Sequence, residues 1–200
     1  MLYPEPTRTR RAPKYTPQQL EKIPGKCRKL RRKITDPKTF LIMDDEKYFS
    51  FSGDNMPSNA GFWSGDKEHV SPEVNFKSKQ KFAPKILVWL GISSKGISAP
   101  YIGTTKGPAV NGDIYIKKCL PKLLTFIYEH HQDDKYVFWP DLASSHYAKK
   151  TIEWLNEQNV PFVPRAANPP NVPKTRPIED FWSILADQVY NGGWETTNQK

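Results

Sequence analysis

The chain has 200 residues, 37% of them hydrophobic and 12% aromatic, which suits one domain able to bury a real core. Its apolar run Ile86 to Leu90 falls far short of the roughly 20 residues a membrane helix needs, and Met1-Leu2-Tyr3-Pro4-Glu5-Pro6 lacks a signal-peptide core, so no membrane partner is expected. Cys27 and Cys119 lie too far apart for a zinc finger or a disulfide framework, which points to a reducing, intracellular setting. The net charge of +9 is uneven: residues 1–40 hold 12 Lys+Arg against 3 Asp+Glu, and residues 41–200 hold 18 of each. A neutral globule with a basic arm is a composition that commonly meets nucleic-acid phosphates.

Residues 1–14 read as extended, with three prolines and the cluster Arg8-Thr9-Arg10-Arg11. Thr16-Pro17 is a helix start, and the helix is expected to reach about Lys33 with an interruption near Pro24-Gly25. Its second half, Lys26-Cys27-Arg28-Lys29-Leu30-Arg31-Arg32-Lys33, is basic nearly all round. Such a surface is not expected to bury itself, and it suits contact with a polyanion or a nuclear-import signal. Phe40-Leu41-Ile42-Met43, Asp44-Asp45-Glu46 and Tyr48-Phe49-Ser50-Phe51 read as one long strand or a hairpin. Residues 54–84 are a polar, Gly/Pro/Asn/Lys-rich insertion, and loops of that length tend to be functional. Lys85 to Ile92 reads as a buried strand that turns through Ser93-Ser94-Lys95-Gly96 into another, Ile97 to Ile102.

Asn111 is placed to cap a helix reaching about His131, with Ile114, Leu120, Leu123, Leu124 and Ile127 near helical spacing. A strand Tyr136 to Trp139, a helix from about Ser145 to Gln158 and a short strand Val160 to Val163 follow. Residues 164–177 are proline-rich and irregular. A last helix from about Ile178 shows one apolar stripe of Ile178, Phe181, Trp182, Leu185 and Val189. Asp141 falls where a strand stops and a helix is expected to begin, the place where open sheets hold ligands.

Three acidic segments, Asp44-Asp45-Glu46, Asp141 and Glu179-Asp180, therefore sit on separate elements. Carboxylates converging from separate elements can bind two Mg²⁺ ions roughly 3.5–4 Å apart and support in-line displacement at phosphorus. Hard oxygen donors suit Mg²⁺ or Mn²⁺. Each acid also has an ordinary structural use, Asp141 as a helix cap and Glu179 as a first-turn acid favoured by the helix dipole. Paired acids of the glycoside-hydrolysing kind would leave the basic arm without a purpose.

Several ordered blocks resemble the catalytic domain of mariner-superfamily transposases, over approximately residues 10–200. Met43-Asp44-Asp45-Glu46-Lys47-Tyr48-Phe49 is similar to the family's first motif. Lys85 to Ile102 is similar to its buried strand hairpin, and Trp139-Pro140-Asp141-Leu142-Ala143-Ser144-Ser145-His146 to its second motif. Asn168-Pro169-Pro170-Asn171-Val172-Pro173 through Pro177-Ile178-Glu179-Asp180-Phe181-Trp182 resembles the third, with 37 residues between Asp141 and Glu179. The resemblance implies an α/β, ribonuclease-H-like mixed sheet flanked by helices over residues 39–200, behind a basic linker arm over residues 1–38. It implies metal-dependent DNA strand cleavage and strand transfer in cut-and-paste transposition, with two Mg²⁺ (or Mn²⁺) ions.

By motif position Asp45, Asp141 and Glu179 match the catalytic, metal-holding acids, with Asp44 and Asp180 as rivals for the first and third. Arg8, Arg10, Arg11, Lys26, Arg28, Lys29, Arg31, Arg32 and Lys33 are the expected DNA contacts. The implied partners are double-stranded DNA (transposon ends and target) and a second copy in a homodimer, in the nucleus. The insertion at 54–84 corresponds to a loop through which relatives clamp a partner subunit, and His146 is a candidate either to orient a phosphate or a ligand beside Asp141 or to serve in capping or packing. Leu142 stands where relatives commonly have Asn, so the support around Asp141 is expected to differ, and the segment before the third motif is longer than in many relatives. Relatives carry further DNA-reading helices before this region and a longer C-terminal end, so an N- and C-terminally truncated copy is expected. The alternative is an inactive remnant that only binds DNA or a partner.

Overall fold

A computed structural model describes residues 15–51, 65, 69–71, 84–104, 109–170 and 175–191. Arg8, Arg10, Arg11 and nearly all of the 54–84 insertion lie outside the described residues. Among the described residues, four helices flank one mixed sheet. The strands are β1 (Thr39–Ser50), β2 (Lys85–Ser93), β3 (Gly96–Ile97), β4 (Tyr101–Ile102) and β5 (Lys135–Trp139). Helix α1 is Pro17–Ile34, and α2 runs continuously through Gly112–Ile114, a π-helical turn Tyr115–Cys119, and Leu120–His131. Helix α3 is Lys149–Glu157 and α4 is Pro177–Val189.

The sheet runs β3-β2-β1-β5, with β4 also pairing β2. β1 is antiparallel to β2 and parallel to β5, with Met43 level with Trp139. β1 is central and covered on both faces, which is why its start reads as an unbroken apolar run. One face packs α2 and α3 through Ile42, Trp89, Leu120, Leu123, Phe138 and Leu155. The other packs α4 through Phe49, Leu90, Ile178, Trp182 and Ala186. It also packs α1, whose Leu30 joins Met43, Val137, Trp139 and Val163. Gly91 in β2 permits the close approach of α2, since a Cβ there would meet Leu123 Cδ1 at 2.8 Å.

Five sequence expectations change. Helix α1 is unbroken although Pro24 lies inside it. The N–H that proline lacks would have bonded near the exposed Leu20, where water can serve the freed carbonyl. The basic half of α1 does bury one side, through Leu30 at 5% exposure. No helix starts at Ser145, and α3 begins only at Lys149, because local bonds hold the chain in turns. His146 N–H donates to Ala143 O, His146 Nδ1 meets Asp141 O, and Thr151 Oγ1 donates to Ser145 O. Val160 to Val163 forms a single bridge, Phe138 to Phe162, rather than a strand. Pro161 and Pro164 flank that bridge and have no N–H for a longer ladder. The strand expected over Ile97 to Ile102 splits into β3 and β4 around Pro100. Asn111 does cap α2, its side chain accepting from Ile114 N–H at 2.9 Å.

Candidate metal centre

Strand alternation divides the acidic run of β1 between the two faces. Asp44 and Glu46 face the α2 side and Asp45 faces α4. The parallel register then carries Asp141, two residues beyond β5, to the level of Asp45. Carboxylate oxygens of Asp45, Glu46 and Asp141 lie within 4.8 Å of one another.

Asp44 is fully buried and its carboxylate is occupied. Oδ2 accepts from Tyr115 O–H at 2.6 Å and Trp89 Nε1–H at 3.1 Å, and Oδ1 accepts from Asp141 N–H at 3.2 Å. Asp45 accepts one indole bond, from Trp182 Nε1–H at 3.1 Å. Burial raises its carboxyl to about 7, helped by the charges of Glu179 and Asp141 and opposed by the Glu46 N–H and Arg176. Of the two rivals, Asp44 is consumed by structure and Asp45 is the open one.

The backbone around Asp141 is held at several polar groups. Its N–H is taken by Asp44 and its carbonyl faces His146 Nδ1 at 3.2 Å. The Pro140 carbonyl accepts from Asn168 Nδ2 at 2.9 Å and Arg176 Nη1 at 3.4 Å. Arg176 Nη2 also donates to the Asp44 carbonyl at 2.7 Å, and its guanidinium lies 5.2 Å from the Trp139 ring. Asn168 Oδ1 accepts from Trp139 Nε1–H at 2.8 Å. The backbone at Pro140 and Asp141 is thus held by Asn168, Arg176, Asp44 and His146.

His146 is fully buried and stacks on Tyr115 at 4.0 Å. Its Nε2 lies 3.5 Å from Glu46 Oε1, an ion-pair separation without hydrogen-bond geometry, so that nitrogen has no hydrogen-bond partner. Burial pulls the imidazole down, but the charges of Asp44, Glu46 and Asp141 outweigh it and lift it to about 9.

Of the three acids expected from the sequence, Asp45 and Asp141 come together, and Glu46 joins them. Glu179 lies on the exposed side of the first turn of α4, one turn before Trp182. Its charge reaches Asp45, but its carboxylate is outside the 4.8 Å group. Asp180, its rival, is exposed as well. Among the expected DNA contacts, Lys26 is engaged, its ammonium donating to the carbonyls of Arg165 at 3.2 Å and Asn168 at 3.1 Å. Arg28, Lys29, Arg31, Arg32 and Lys33 are exposed. Sequence reasoning did not single out Glu46, Tyr115, Asn168, Arg176 or Trp182. Three successive acids inside a strand were the one available signal, and it pointed to Glu46.

A five-stranded mixed sheet with helices on both faces, carrying acids within its central strand and just beyond the strand parallel to it, is a ribonuclease-H-like fold. Solved structures with this fold include the Mos1 transposase paired-end complex with left transposon end, at TM-score 0.75 and 16% identity over 97% of this chain and 55% of that one. The catalytic domain of Mos1 mariner transposase matches at TM-score 0.64 and 15% identity, over 93% and 78%. The Mos1 mariner paired end complex with Mn matches at TM-score 0.75 and 16% identity, over 97% and 55%. The chain thus spans about half the length of the full Mos1 chains it matches. No family model and no curated protein sequence matches it.

Proposed function

We propose that this chain is the catalytic domain of a mariner-type DNA transposase, cutting and joining DNA with divalent metal ions. The observation that carries this reading is the convergence of Asp45, Glu46 and Asp141 on a shared fold position. The donor set fits such a centre: all three are oxygen donors, and Asp45 keeps open lone pairs. When bound, Mg²⁺ or Mn²⁺ would lower the pKa of a water or 3′-hydroxyl nucleophile and stabilise the departing oxygen. Asp45 and Asp141 would hold the ions, fixed by the bond from the Trp182 indole and by the bonds to the backbone of residues 140–141, so little ordering would remain at binding. Glu179, reaching Asp45 through its charge, is the third acid of the reaction. Exposed Arg28, Lys29, Arg31, Arg32 and Lys33 bind double-stranded DNA phosphates in a salt-dependent manner. The Mos1 paired-end complexes contain transposon-end DNA, and this chain acts on the same kind of substrate, as a dimer in the nucleus.

Supercoiled plasmid incubated with the protein and Mn²⁺ should be nicked, and Asp141→Asn should abolish nicking without loss of DNA binding. If wild type and variant bind DNA and are equally inert, the chain is a binding module and the enzyme reading fails.

A further inference from the structure

We propose that Ser93, His131 and Asp134 form a nucleophilic serine site, separate from the carboxylate centre, that takes an acyl group from a carboxylic ester. The three come from the end of β2, the end of α2 and the turn into β5. Asp134 precedes β5 and Asp141 follows it, so the five residues of that strand, at about 3.3 Å each, keep the two sites roughly 16 Å or more apart.

Three features of the cluster argue for it. First, its hydrogen bonds run in one direction. His131 Nδ1 lies 2.8 Å from Asp134 Oδ2, and Nε2 lies 2.8 Å from Ser93 Oγ. An ionised carboxylate only accepts, so Nδ1 carries the proton of the neutral ring and Nε2 accepts from the Ser93 hydroxyl. A hydroxyl on a base that a third group orients is the arrangement that activates a serine. Second, the base is kept neutral and in place. His131 is fully buried, and burial, helped by the Lys95 charge, holds its pKa below the ordinary 6.5 against the pull of Asp134. Lys95 in turn holds Asp134 ionised, its ammonium lying 2.6 Å from Oδ2 and also donating to the His130 carbonyl at 2.9 Å. The rings of Phe40 and Phe126 flank the imidazole at 5.2 Å and 5.6 Å. Third, the hydroxyl can be reached. Ser93 is half-buried and is followed by exposed Ser94, Lys95 and Gly96. The Lys95 N–H donates to Ser93 Oγ at 3.0 Å, which takes one lone pair and leaves the other to attack. In the reaction, Oγ bonds to the ester carbonyl carbon while its proton passes to His131 Nε2. The bond from that carbon to the leaving oxygen then breaks, the alcohol departs with the proton, and the acyl group stays on Ser93.

Incubating the full chain with p-nitrophenyl acetate at neutral pH, followed by peptide mass spectrometry, tests this directly. Ser93 should be acetylated about tenfold or more faster than its exposed neighbour Ser94, since a positioned base contributes about 10²–10⁴-fold. Ser93→Ala should remove that label. Asp134→Asn, a milder change than any at the buried ring, should slow it about tenfold or more, with circular dichroism showing that the variant is folded. Labelling should decline only at pH below 6.5, because a proton on His131 Nε2 removes the acceptor. Lys95, His130, Asp134 and Tyr136 are the titratable groups around that ring. Equal labelling of Ser93 and Ser94, or of wild type and Asp134→Asn, would overturn the proposal and leave the cluster as a tie between the β2–β3 turn and α2. The assay contains no metal, so its failure leaves the carboxylate centre standing.

Discussion

Asp45→Asn is expected to stabilise the metal-free protein at neutral and alkaline pH while destroying the proposed metal-dependent activity. The carboxyl titrates near 7 in the folded chain, against an ordinary 3.8, chiefly because it is buried and faces Glu179 and Asp141. Between those two values the folded state holds a proton that the unfolded chain has already released. Stability from this group therefore falls as pH rises from about 4 to about 7, and stays low above that. At about 1.4 kcal/mol per pH unit, the full penalty is on the order of 4 kcal/mol. Asn keeps an oxygen for the Trp182 indole and cannot ionise. Urea unfolding of both proteins without metal, from pH 4 to pH 8, isolates the effect in the difference between them. That difference should be near zero at pH 4 and about 2–4 kcal/mol in favour of Asn by pH 8. Saturating Mn²⁺ should erase the advantage, because only the carboxylate gains from the ion. A difference that stays flat with pH would refute the reasoning.

The remaining expectations concern the support around the acids and the basic helix. Arg176→Met removes a charged bond to the Asp44 carbonyl, a longer one to the Pro140 carbonyl, and a cation over the Trp139 ring. A charged hydrogen bond contributes about 1.5–3 kcal/mol and the ring contact about 0.5–2 kcal/mol. Chemical denaturation should therefore show a loss of about 3 kcal/mol, and a loss under about 1 kcal/mol would remove Arg176 from the framework. For α1, replacing Arg28, Lys29, Arg31, Arg32 and Lys33 with Gln should flatten the logarithmic salt dependence of DNA binding by about 0.9 for each phosphate the helix no longer neutralises. An unchanged slope would place DNA elsewhere. Lys26→Gln should act mainly on stability, since its ammonium is held by two carbonyls of the fold.

The parts of this structure legible in the sequence are those set by local pattern and by burial on both faces. β1, β2 and β5 announce themselves as apolar runs, α4 as a stripe through Ile178, Trp182 and Leu185, and Asp45 and Asp141 by lying where such runs end. Interactions that depend on distant partners were not legible. Nothing near Asn168 or Arg176 in the chain says that both will donate to the carbonyl of Pro140, because the fold alone closes that distance. The same holds for Leu30, a single apolar residue in a basic run, whose burial requires Met43, Val137 and Trp139 beneath it. Residues 145–148 do not join the helix expected from about Ser145 for a local reason, since side chains there compete for backbone groups that a helix would use.

The neighbouring aspartates show how one residue of strand register separates structure from chemistry. Asp44 and Asp45 are the same amino acid one position apart, yet opposite faces of β1 give them opposite effects on stability. Asp44 gathers two side-chain donors and the Asp141 N–H in a site closed to water. Asp44→Ala leaves those donors without partners, at about 1–3 kcal/mol for each buried group, so it should destabilise the protein by at least about 3 kcal/mol. It should also weaken metal binding, because Asp141 then loses the bond that fixes it level with Asp45. Asp45→Asn, by contrast, relieves charge crowding and should raise stability. Thermal unfolding of the two variants without metal at pH 8 should move the midpoint in opposite directions. Equal destabilisation by both would mean that Asp45 is a framework residue as well, and that the open carboxylate the centre requires is not there.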